Sequence, residues 1–364
     1  MAIFESLFDL IYLAVVVGLG SRLFLEKEKG AKLFGIMALL LGAGDAFHLI
    51  PRVVSHLSPL GFEGHRFSLS WGQFITGITM TVFYLLYYHF YRRQSGDSDH
   101  KKAIAVYALA LIRIVLSALP QNKWGQADGS YLFGIYRNIP FAIMGALLIF
   151  WSYRERKKDG LKHMWLLILL SFIFYIPVVL WSKQIPAIGA LMMPKTVAYL
   201  LIVSLGYKYF VGPYNRINIL GIAFANLIMG LTGGVFYREF TKFYQFTGPG
   251  HLGKLHVHTL VLGFVIMTLI YLLSRGFNQQ QLKKLKKPIY TFEAGLIFTV
   301  INMMLLGMYE VVGAGQGTIN RSAADGLSGM GHIILAVGLV MTFVRIFNLE
   351  KTAGKNLEKT TSTK

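Results

Sequence analysis

Apolar residues along this chain come in long blocks separated by short polar runs, and each block is close to the ~20 residues that an α-helix needs to cross a bilayer. Eleven such blocks fall at about residues 5–24, 31–51, 69–91, 102–120, 131–153, 162–182, 188–210, 216–236, 255–274, 289–311 and 327–347. The pattern predicts an all-α, polytopic integral membrane protein with eleven transmembrane helices.

The breaks between blocks divide the chain further. A Gly-Pro pair and two polar residues in VGPYNR, Val211 to Arg216, interrupt the pattern between the seventh and eighth spans. The expected organisation is a seven-helix unit at 1–210, a junction at 211–216, a four-helix unit at 217–348 and a disordered cytoplasmic tail at 349–364. No period of 20–50 residues repeats, so the two units are not a visible duplication.

Composition narrows the class. With 54% hydrophobic and only 15% charged residues in 364, no soluble domain fits beside the spans. A net charge of +19 would suggest nucleic acid in a soluble protein. Here 25 of the 36 Lys and Arg lie in alternate loops, around residues 26–32, 92–102, 154–163, 207–216 and 275–288, with their flanks and the tail. That bias is the positive-inside rule, which puts the C-terminus in the cytoplasm and, with eleven spans, the N-terminus outside. The partner is then the lipid bilayer of the cell membrane, crossed many times, and no nucleic acid. The first apolar run lacks a basic leader and a cleavage site and is followed by Arg22 and Lys27, so it is expected to be retained. The absence of Cys excludes disulfides and thiolate metal sites.

In the four-helix unit this topology brings the starts of the ninth and eleventh spans to the same leaflet as the ends of the eighth and tenth. His256, His258 and His332 then share one depth with Arg238, Glu239 and Glu310, and ionisable groups at membrane depth are costly and mark function. His256 and His258 are two residues apart, about 200° around a helix, so only one of them faces a given neighbour. An imidazole on the ninth span facing one on the eleventh is the arrangement that axial ligation of haem b requires. Arg238, Lys254 or Arg321 would hold the propionates. The same three histidines with Glu239 or Glu310 would instead suit Zn or Cu. The bland alternative is a set of hydrogen-bonded helix bridges.

These residues also carry a resemblance. YREFTKF at 237–243, HLGKLHVHTLVLG at 251–263 and GLSGMGHI at 326–333 resemble a bacterial family of small four-helix membrane proteins, domain of unknown function 2871, over about residues 215–347. That resemblance implies a domain boundary and no activity. The His-x-His followed by Leu-Gly is also similar to the HAHLNLLG-like segment of proteins related to haem-copper oxidase subunit I, which implies haem. The further histidine pairs of a copper-bearing second site are missing, which argues against oxygen reduction.

The seven-helix unit offers a second cluster. Asp45, His48 and Arg52 share a face of the second span. Gln73 and Thr76, then Arg113, Arg137 with Asn138, Tyr175, and Lys195 come from the third to seventh spans at the same leaflet. Four cations, Arg52, Arg113, Arg137 and Lys195, face only Asp45. Burial of that excess is costly without a counter-charge, so the cluster is expected to line a pocket for a small anionic ligand. Snorkelling of the same cations to the headgroups is the competing reading.

The sequence thus predicts a membrane-embedded haem protein serving electron transfer, haem handling or gas sensing. The alternative is a transporter or receptor-like binding protein for a small anion, or a Zn/Cu-binding membrane protein. Asp45 and His48 resemble an acid–base pair, yet no activated nucleophile accompanies them and no hydrolase or transferase motif is present, so any enzymatic role would be a redox one.

Overall fold

A computed structural model of the chain describes residues 2–126, 129–158, 160–212, 214–312 and 321–361, except for the side chains of 2, 186, 321–325, 327 and 353–361. No strand occurs among the described residues. Two compact units are present, residues 1–56 with 60–212, and residues 57–59 with 213–364.

The first unit contains α1 (Ala2–Phe24), α2 (Lys29–Leu57), α3 (Arg66–Ser95), α4 (His100–Ala118), α5 (Asn138–Arg154, entered through a short helix at Tyr131–Tyr136), α6 (Met164–Trp181) and α7 (Met192–Phe210). The second contains α8 (Arg216–Phe243), α9 (Leu252–His258, a π-helical turn at Thr259–Val265, then Ile266–Leu273), α10 (Gln279–Val312) and α11 (Arg321–Thr361). Ten of these helices are long and apolar enough to cross a membrane, as befits a multi-pass membrane protein. The exception is α4, whose 19 residues include Lys101, Lys102 and Arg113. Even so, Ile104, Leu111 and Val115 give α4 an exposed apolar stripe while Arg113 is buried. The tail expected to lack structure instead continues α11 to Thr361, because Leu349, Glu350 and Lys351 are good helix formers attached to an existing helix.

Aromatic residues of α3 form the centre of the first unit. Phe83, Tyr84, Tyr87, Tyr88 and Phe90 are fully buried. Burying a phenol demands a partner for its hydroxyl, and α5 and α6 supply two: Tyr87 Oη lies 2.8 Å from Ser152 Oγ, and Tyr84 Oη 3.1 Å from Ser171 Oγ. The third helix is therefore an interior element despite its polar atoms.

Small residues set helix spacing in the second unit, as membrane helices use them to let backbones approach. A methyl group on Gly295 or Gly338 would run into the backbone of Leu335 or Phe292 across the α10–α11 contact. On Gly331 it would lie 2.6 Å from Thr299 Oγ1 and 3.2 Å from Thr299 N. The close approach carries His332, the residue after Gly331, to its place in the bundle.

Candidate functional site

In the four-helix unit, α9 and α11 bring two imidazoles together. The rings of His258 and His332 have centroids 6.1 Å apart and planes at 87°. Each ring is anchored on its own helix: His258 Nδ1 lies 3.0 Å from the Lys254 carbonyl and His332 Nδ1 2.8 Å from the Ser328 carbonyl. A carbonyl only accepts, so Nδ1 is the protonated nitrogen in both rings. Each Nε2 keeps its lone pair, the tautomer and orientation found in metal-ligating histidines. The π-turn begins at the residue after His258, and such turns concentrate at functional positions.

His256, the other member of the His-x-His pair, turns away as the helical period requires and stacks on Tyr237 of α8, centroids 6.2 Å apart and planes within 15°. The carboxylates expected to complete a metal site are engaged elsewhere. Glu310 accepts from the His251 backbone N–H at 2.8 Å and pairs with His251 Nδ1 at 2.6 Å, while Glu239 pairs with its exposed neighbour Arg238 at 2.7 Å. The five residues His256, His258, His332, Glu239 and Glu310 are thus not one ligand set, and no group of three or more candidate ligands occurs among the described residues. The side chain of Arg321 lies outside the described residues.

That donor set discriminates between occupants. Zinc and copper require three or four protein ligands. Haem supplies its own equatorial nitrogens and asks the protein for two axial ones.

A polar group of the same unit escaped the sequence reading. Asn226 of α8 donates through Nδ2 to both oxygens of Glu293 on α10, at 3.0 and 3.2 Å. An acidic residue within the first turns of the tenth span, Glu293, was itself the signal.

In the seven-helix unit, eight of the ten expected residues, His48, Gln73, Thr76, Arg113, Arg137, Asn138, Tyr175 and Lys195, line one cavity of about 240 Å³. The other two are captured by α1, whose contribution the sequence did not disclose. Arg52 forms a salt bridge with Glu5, which also lies 3.2 Å from His56. Asp45 accepts the hydroxyl of Tyr12 at 2.7 Å and does not line the cavity.

Arg137 is also partnered, donating to Asn122 Oδ1 at 2.7 Å with its guanidinium 4.4 Å from the Trp124 ring. Asn138 accepts from Tyr175 at 2.9 Å. Arg113 and Lys195 differ. Both are buried, at 3% and 7% exposure, and Arg113 Nε and Nη1 have no hydrogen-bond partner. The Arg113 guanidinium lies 3.3 Å from the Phe141 ring centre, and Lys195 Nζ lies 4.7 and 5.3 Å from the rings of Tyr175 and Tyr199.

Residues 217–349 match a family described as protein of unknown function (DUF2871). The match spans α8 to α10 and most of α11, so it covers the unit that holds the histidine pair. Neither the curated proteins nor the solved structures include one that matches the chain.

Proposed function

We propose that the four-helix unit is a membrane-embedded haem b protein in which His258 and His332 would hold the haem and the role is electron transfer. The observation that carries this reading is the pair itself: two imidazoles from different helices with centroids 6.1 Å apart, each with Nδ1 engaged by its own helix so that Nε2 is the nitrogen with the lone pair. Haem supplies a one-electron couple when bound. The protein's part is to fix both rings and to surround the group with apolar helix faces, which together set the potential. With one histidine from each of two helices to hold it, the haem would serve electron transfer rather than gas sensing. The loop-charge bias supports a cell-membrane location with a cytoplasmic C-terminus.

The test is the absorption spectrum of the full chain, expressed with haem supplementation and purified. A Soret band with sharp reduced α and β bands is expected, lost in His258→Ala and in His332→Ala and retained in His256→Ala. No Soret band, or an equal loss in His256→Ala, would refute the assignment.

A further inference from the structure

We propose that the seven-helix unit binds an amphipathic carboxylate, its anionic head held by Arg113 and Lys195 and its apolar body lodged in a neighbouring pocket across Phe141 and Tyr175. This site is independent of the haem reading, since every residue it uses lies in the other unit.

The head group follows from charge. Three cations, Arg113, Arg137 and Lys195, line the cavity, and no carboxylate does. Asp45, behind the wall on Tyr12, offsets the charge of Lys195 and leaves those of Arg113 and Arg137. Buried cations without a counter-charge are held at considerable cost, and a bound anion relieves it. Arg113 is prepared for a carboxylate in particular. Phe141 covers one face of its guanidinium, which leaves the in-plane N–H groups, the unpartnered Nε and Nη1 among them, as donors, and the planar ion presents forks that match two carboxylate oxygens.

The apolar body follows from shape. A second pocket of about 120 Å³ adjoins the first and shares Asn138, Phe141, Tyr175 and Val179 with it. Its remaining wall is apolar, with Ile139 and Phe172 among its residues. An inorganic anion would leave that pocket empty and gain nothing from it. A carboxylate carrying a short chain or a ring fills both, gaining ~25 cal/mol for each Å² of apolar surface buried.

The experiment uses the full chain in lipid nanodiscs, with octanoate, benzoate, acetate, inorganic phosphate and 1-octanol as probes, read by thermal melting and titration. Octanoate or benzoate is expected to raise the melting temperature. The octanoate arm represents a lipid-derived chain and the benzoate arm a soluble aromatic acid. Acetate and 1-octanol, the head and the tail alone, should need at least tenfold higher concentration. Arg113→Gln and Lys195→Met should each weaken binding by roughly tenfold or more, the usual size of a charge-assisted contact. Ala142→Phe fills the apolar pocket and leaves both cations in place, so it should abolish the octanoate shift and spare that of acetate. The proposal is overturned if neither octanoate nor benzoate shifts the wild type, if phosphate matches them, or if Ala142→Phe leaves octanoate binding intact.

Discussion

Replacing Gly331 with Ala tests how α11 is seated without touching a histidine. The new methyl would lie 2.6 Å from Thr299 Oγ1, 3.0 Å from Phe298 Cδ1 and 3.2 Å from Thr299 N. Ordinary contact begins at 3.4 Å, so the helices must part by several tenths of an ångström or Thr299 must turn. Thr299 is fully buried and its hydroxyl has no hydrogen-bond partner, so part of the strain can be relieved by its side chain, but the backbone nitrogen cannot move away. Overpacking of this kind costs about 1–3 kcal/mol, which for a unit of this size lowers the melting temperature by roughly 2–12 °C. Thr299→Ala removes the nearest obstructing atom. In a double-mutant cycle followed by thermal melting in detergent, Gly331→Ala with Thr299→Ala should therefore be less destabilised than the sum of the two single changes. An unchanged melting temperature in Gly331→Ala, or strict additivity in the double variant, would show that α10 and α11 are not in the contact described. Because His332 follows Gly331, the same variant should also broaden or weaken the Soret band of the haem-loaded protein.

Three further outcomes follow from individual contacts. Tyr12→Phe leaves the buried Asp45 carboxylate without its 2.7 Å hydrogen bond and should cost about 1–3 kcal/mol, with partial recovery on adding Asp45→Asn, checked by thermal melting. Arg52→Gln should leave octanoate affinity within about twofold, since Glu5 holds Arg52 outside the cavity; a tenfold loss would return Arg52 to the pocket wall, as the sequence alone suggested. In the α3–α4 loop, burial pushes the Asp97 carboxyl up, but the Lys102 ammonium and the Asp99 backbone N–H outweigh it and hold the carboxyl below its ordinary value. The ionised form is the stabilised one, so its contribution is full above the usual carboxylate pKa of about 4 and disappears as pH falls through the lowered value. Melting curves between about pH 6 and 3 should show that acid loss in wild type and a smaller one in Asp97→Asn, and identical profiles would sink the assignment.

Hydrophobic periodicity by itself determined that the chain is built of long apolar helices, because bilayer thickness and the cost of unpaired backbone groups leave a helical span few alternatives. The 200° between His256 and His258 likewise follows from sequence position, and it dictates that the pair must split. Which partner each ring takes depends on how neighbouring helices are rotated, and glycine contacts such as Gly331 on Thr299 decide that through packing between residues distant in the chain. Partner choice was hidden for the same reason at Glu310, which closes on His251, and at Arg52 and Asp45, which α1 draws to Glu5 and Tyr12. A helical period states which residues share a face. Only the packed bundle states what that face meets, and it is this meeting that leaves Arg113 Nε and Nη1 without hydrogen-bond partners and sets the ring of His258 beside that of His332.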